Sequence, residues 1–164
     1  MSRTGRHAPL NSIHSRLMLS DIQHVEAHWK EYDCIVSICQ PFEVPRELHS
    51  DPRWKHVAID DAQLSNPKEY RAATNIIRTA AKTVEKALRR GESVLLHCAA
   101  GQNRSVAVAV AIALRDSRTV AAVREHSVDA IVKGIAADKL AAGFDGMTWR
   151  TLTNRSFWNL LEEF

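Results

Sequence analysis

A chain of 164 residues, 45% hydrophobic and 25% charged with a formal charge of +3, is sized for one globular domain with a proper core. So small a charge makes no electrostatic case for a nucleic-acid or membrane partner. The longest apolar run, Val106 to Leu114, falls far short of the roughly 20 residues that a bilayer requires.

In chain order, residues 1–12 are polar and read as a flexible tail, leaving 13–164 as the folded domain. The tail lacks the apolar stretch of a secretory signal. Three cysteines, Cys34, Cys39 and Cys98, make an odd number without an export signal, which favours free thiols in a reducing, cytoplasmic setting. No CxxC pair suggests a metal, and apart from His24 and His28, which stand four positions apart, the eight histidines show no ligand spacing.

Ile13 to Leu19 reads as a first short strand or extended entry. Ser20 with Gln23 forms a capping box for a helix to about Glu31, burying Ile22, Val25 and Trp29. The β-branched run CIVSIC reads as a buried strand. Residues 40–53 hold three of the five prolines and read as a surface loop, followed by a strand over Trp54–Ile59 that Asp60-Asp61 stops. Asn66, Pro67 and Glu69 form a strong helix start. Apolar residues recur at helical period from Tyr70 to Leu88 until Gly91 terminates the run.

Ser93 to His97 reads as a strand. By pattern alone, Val106–Leu114 fits either a strand or a fully buried helix. Two helical stretches are expected between Thr119 and Leu140, then a loop over AAGFDGMTWR. Asn154 caps a last helix with Phe157, Leu160, Leu161 and Phe164 on one face. Alternating strands and helices argue an α/β domain around a mostly parallel sheet of roughly four to five strands.

The segment ESVLLHCAAGQNRS brings a thiol to a loop of small residues. Ala99 and Ala100 have minimal side chains, and Gly101 is free to take a positive φ. Backbone N–H groups from Ala99 through Gln102, Asn103 and Arg104 then form a nest for an anion, supported by a helix N-terminus. That cradle requires Val106–Leu114 to be helical. Cys98 in such a setting is favoured as a thiolate, the nucleophilic form. Arg104 supplies a planar fork for two phosphate oxygens, and Ser105 a hydroxyl for the thiolate.

His97-Cys98-x5-Arg104-Ser105 matches HCxxGxxRS, the signature of cysteine-dependent protein phosphatases, and its spacing most resembles the dual-specificity branch. Ile13–Ser20 resembles that family's opening strand and turn, Trp54–Asp61 the strand entering its general-acid loop, and Asn154–Phe157 the start of its last helix. The match is poor over residues 123–150. The resemblance implies a protein-tyrosine-phosphatase-like fold and phosphate-monoester hydrolysis through phosphocysteine. It makes Cys98 the nucleophile, Arg104 the phosphate clamp and His97 the residue that orients the loop, with no cofactor, no metal and no obligate partner. Substrates would be phosphorylated proteins or peptides.

Strand-end loops commonly carry function, but spacing alone does not choose between Asp60 and Asp61 as the acid. The family pattern puts Asp61 at that position, although Ala58 stands where the family usually has proline. Asn103 before the arginine also occurs in RNA 5′-triphosphatases of this fold, so 5′-triphosphate RNA is an alternative substrate. Those continue with Thr-Gly, whereas this chain has Ser105-Val106. A third reading is a non-catalytic phosphate-binding module, which would typically lack the cysteine, the arginine or the acid. Cys39 is a buried core thiol, or else a disulfide partner for Cys98 on oxidation.

Overall fold

The computed structural model describes residues 5–116 and 127–164. Five strands, β1 (His7–Pro9), β2 (Leu17–Ser20), β3 (Cys34–Ile38), β4 (Trp54–Val57) and β5 (Val94–His97), form one sheet in the order β1-β2-β5-β3-β4. Only β1 runs antiparallel to its neighbour. The last strand in sequence therefore sits in the middle, with Leu96 beside Leu19 on one side and Val36 on the other. In open sheets of this kind, ligands bind beyond the carboxyl ends of the strands, where the strand order reverses. Cys98 directly follows the carboxyl end of β5.

Strand alternation divides the core into two layers. Val94 and Leu96 face one cluster with Val36, Ile77, Val84 and Val108. Leu95 faces the other, with Val25, Trp29, Ile35 and Leu48. All three β5 residues are wholly buried, and each such side chain contributes about 1.5–3 kcal/mol. The central strand is thus a rigid platform for the loop that follows it.

Helix α1 spans Ile22–His28, and one 3-10 turn carries it on to Glu31. Its cap is Asp21 rather than the expected Ser20, because the Asp21 carboxylate accepts from the His24 N–H at 3.0 Å. Helix α2 (Pro67–Arg89) starts where the sequence predicts, with Asn66 accepting from Glu69 N at 3.0 Å. It ends before Gly91, whose φ of +80° lies in the left-handed region.

Helix α3 (Arg104–Arg115) settles the ambiguity of the Val-Ala run. It is buried on all sides from Arg104 to Ala113, where alanines let α2 and the sheet approach closely. Helices α4 (Val128–Ala141) and α5 (Arg155–Glu162) complete the described part, with Asn154 capping α5 through Phe157 N. The earlier helical stretch expected after Thr119 lies outside the described residues.

The flexible tail expected through residue 12 needs correction from His7 onward. Ala8 and Leu10 are wholly buried, and the Arg6 backbone exchanges hydrogen bonds with Asp21. A polar composition concealed this two-residue apolar alternation, which is enough to seat an edge strand.

Candidate active site

The loop from Cys98 to Asn103 is shaped by what holds its carbonyls. His97 Nδ1 faces the Cys98 carbonyl at 3.1 Å, and Ile22 N donates to that of Ala99 at 2.9 Å. Trp149 Nε1 donates to the Ala100 carbonyl at 2.8 Å and Lys139 Nζ to that of Gly101 at 2.9 Å. Leu152 N donates to the Gln102 carbonyl at 2.8 Å, and Ala107 N to that of Asn103 at 2.8 Å. A trans peptide points its N–H opposite to its C=O. Tethering these carbonyls to groups around the loop therefore turns the following N–H groups toward its centre.

One N–H reports that direction: Gly101 N donates to Cys98 Sγ at 3.3 Å. Gly101 has a φ of +67°, and a Cβ there would meet the Ser20 carbonyl oxygen and Trp149 Cζ2, both at 2.8 Å. The loop thus needs glycine for its backbone angle and for space. Ser105 Oγ lies 3.1 Å from Cys98 Sγ, as a partner for the sulfur expected from the sequence. Both residues are buried, and α3 begins at Arg104 with its N-terminus behind the loop.

Arg104 is also buried, and both of its terminal nitrogens reach Glu43 at 3.0 Å. Nη1 additionally donates to the Ile59 carbonyl at 3.2 Å, whereas buried Nε has no hydrogen-bond partner. The hydrogen bonds from Arg104 hold the Glu43 carboxyl below its usual range. Sequence reading missed Glu43 because it lies in the proline-rich stretch taken for surface loop. That stretch folds into 3-10 turns, and a capping box between Gln40 and Glu43 fixes the carboxylate's position.

His97 is wholly buried, and burial pushes its pKa down to about 4, so the ring is neutral. Its tautomer follows from its neighbours. The Cys98 carbonyl accepts only, so Nδ1 carries the proton and Nε2 accepts from Ser37 Oγ at 2.5 Å. Ser37 in turn accepts from Trp54 Nε1 at 2.8 Å. A one-way chain of hydrogen bonds thus fixes the ring that holds the Cys98 carbonyl.

Asp60 and Asp61 separate clearly. Asp61 accepts from Asn103 Nδ2 at 3.0 Å and from Asn154 Nδ2 at 2.8 Å, which ties it to the loop and to the cap of α5. Asp60 accepts from Gln40 at 2.9 Å instead. Asn103 Oδ1 also accepts from Asn154 N at 2.9 Å, so its amide is engaged within the protein. Cys39 is buried, burial pushes its thiol up to about 12, and all three cysteines are free.

No protein-family model and no curated protein matches the sequence. Solved structures do match. Tk-PTP superposes with a TM-score of 0.66 at 18% identity, over 92% of this chain and 90% of that one. Human DUSP28 gives 0.65 at 16% identity, over 92% and 88%. The fold is that of the tyrosine and dual-specificity phosphatases. A human protein with this phosphatase fold, the tyrosine phosphatase-like serine/threonine/tyrosine-interacting protein, gives 0.60 at 18% identity over 92% and 91%. Within the phosphatase fold, the cysteine loop of this chain lies at the carboxyl end of the central strand.

Proposed function

We propose that the protein is a cysteine-dependent phosphatase that hydrolyses phosphate monoesters of phosphorylated proteins or peptides. The observation that carries this reading is the convergence on Cys98 Sγ of the Gly101 N–H and the Ser105 hydroxyl, at the base of a loop whose carbonyls are all tethered. In the first step the Cys98 thiolate attacks phosphorus, the S–P bond forms and the P–O bond to the leaving group breaks. Asp61 protonates the departing oxygen. In the second step Asp61 takes a proton from water, which attacks phosphorus and breaks the S–P bond. Ser105 donates to the sulfur as the thiolate is released.

Loop N–H groups from Ala99 to Arg104, the α3 N-terminus and the Arg104 guanidinium supply the positive potential for the phosphoryl oxygens. Phosphate engages the free Nε of Arg104 while Glu43 braces the terminal nitrogens. Each Asp61 oxygen retains a second lone pair beside its amide bond, so the carboxyl is held without being used up.

Two other readings have less support. Asn103, the residue that suggested a 5′-triphosphate RNA substrate, spends its amide on Asp61 and Asn154. A phosphate-binding module without catalysis is the reading nearest to the phosphatase-like serine/threonine/tyrosine-interacting protein. Here the thiol, the guanidinium and the tethered carboxylate are all present.

The test is turnover of p-nitrophenyl phosphate in EDTA, with vanadate inhibition and with Cys98→Ser abolishing activity. Unchanged activity in that variant rejects the mechanism. Asp61→Ala should slow the reaction more than Asp60→Ala, and the reverse order would move the acid. A faster release of γ-phosphate from triphosphate RNA than of phosphate from phosphopeptides would reassign the substrate.

A further inference from the structure

Lys139 takes no part in the reaction described above, yet it is wholly buried beneath the loop. From α4 its Nζ donates to the carbonyls of Gly101 at 2.9 Å and Arg150 at 2.8 Å. It also lies 4.2 Å from the ring centroid of Trp149, which itself holds the Ala100 carbonyl. Among the described residues no carboxylate forms an ion pair with it. A buried ammonium bound only by dipoles is costly unless an anion compensates it.

The groups around Lys139 leave few candidates for that anion. Asp138, next to it on α4, is bonded to Ser12, and Arg6 is paired with Asp21. The α4–α5 connection contributes the Trp149 ring and a carbonyl, and the loop contributes Cys98. Burial lowers the Lys139 pKa to about 7; Cys98 acts to raise it and Arg6 to lower it further.

We infer that Lys139 is a positioning residue of the oxyanion loop: it holds the Gly101–Gln102 peptide by its carbonyl, and its buried charge is matched by the Cys98 thiolate or by the phosphoryl group bound above it. This rests on the loop being a phosphate site. With the Gly101 carbonyl held on one side, the Gln102 N–H faces the other. Lys139 is thereby a second cation for the site, acting from behind the loop, whereas Arg104 acts from its end.

Two variants separate this role from plain packing. Lys139→Met keeps the length but removes charge and donors; Lys139→Arg keeps both. With Lys139→Met, Cys98 alkylation by iodoacetamide at pH 6.5 should slow about tenfold and recover at pH 9, and inorganic phosphate should bind about tenfold more weakly. Lys139→Arg should recover most of both. An unchanged alkylation profile and phosphate affinity in a folded Lys139→Met protein would overturn the inference. If that variant does not fold, the side-chain NMR titration of Lys139 decides. Its midpoint should rise with saturating phosphate and fall in Cys98→Ser, and a midpoint unmoved by either would overturn the inference. Wild-type protein that shows these shifts but turns over no phosphate ester would instead overturn the phosphatase reading alone.

Discussion

The side-chain amide of Asn103 donates to Oδ2 of Asp61 across 3.0 Å, joining the loop that bears the nucleophile candidate to the loop that bears the acid candidate. Its carbonyl oxygen meanwhile accepts from Asn154 N, and the Asn154 side chain holds the other Asp61 oxygen. Two residues distant in sequence from Asp61 therefore fix its carboxyl group relative to Cys98. Removing Asn103 should blur the acid's position without touching the thiol. Asn103→Ala is expected to lower kcat about tenfold on phenyl phosphate, whose leaving group needs the proton, and much less on p-nitrophenyl phosphate. Steady-state kinetics on both esters check this; equal losses would detach Asn103 from the acid step.

Glu43 is the brace for Arg104, so Glu43→Gln should leave the guanidinium with one weaker partner and a wider range of positions. The expected result is a fall of about tenfold in kcat/KM, with phosphate inhibition weakened to a similar degree. Because Arg104 holds the Glu43 carboxyl below its usual range, this bracing is fully present above that range. It is lost as pH falls through the lowered value. A phosphate-inhibition series against pH, run on both proteins, separates them.

His97 predicts the shape of the acid limb of stability. Its folded pKa of about 4 lies below the ordinary 6.5, so between those values the unfolded chain binds a proton that the folded chain does not. Stability therefore rises with pH across that window, and descending through it costs roughly 3 kcal/mol. Urea unfolding of wild type and His97→Gln at several pH values should give a steeper slope for wild type. Parallel slopes would contradict a buried, neutral His97.

Gly101→Ala should damage fold and site together. The added Cβ meets backbone at Ser20 and the Trp149 ring, and the left-handed backbone adds strain. A loss of about 2 kcal/mol or more is expected in thermal unfolding, with phosphate binding reduced. Intact binding would show that the loop tolerates a Cβ at its tightest point.

Local signals in the sequence mark the element boundaries. Asn66-Pro67 and Gly91 bound α2, Asn154 caps α5, and the spacing around Cys98 required the helix that α3 provides. What escaped is non-local. Glu43 reaches Arg104 over 61 positions and Trp149 reaches Ala100 over 49, from segments with no periodic pattern of their own. Lys139 did leave a trace, since it continues the buried stripe of Ile131 and Ile135 at four-residue spacing. A lysine in an apolar stripe signals a buried partner, but the sequence alone does not name a backbone carbonyl as that partner.

The tethers on the loop also set an order of assembly. Ala100, Gly101 and Gln102 are held by Trp149, Lys139 and Leu152, which follow them in the chain by tens of residues. Leu152 adopts a φ of +54° in making its contact, a conformation that persists only when its surroundings impose it. During synthesis the thiol emerges well before the groups that shape its surroundings. The candidate site is thus assembled late, and a nascent or partly unfolded chain carries Cys98 as an ordinary cysteine until its last quarter docks.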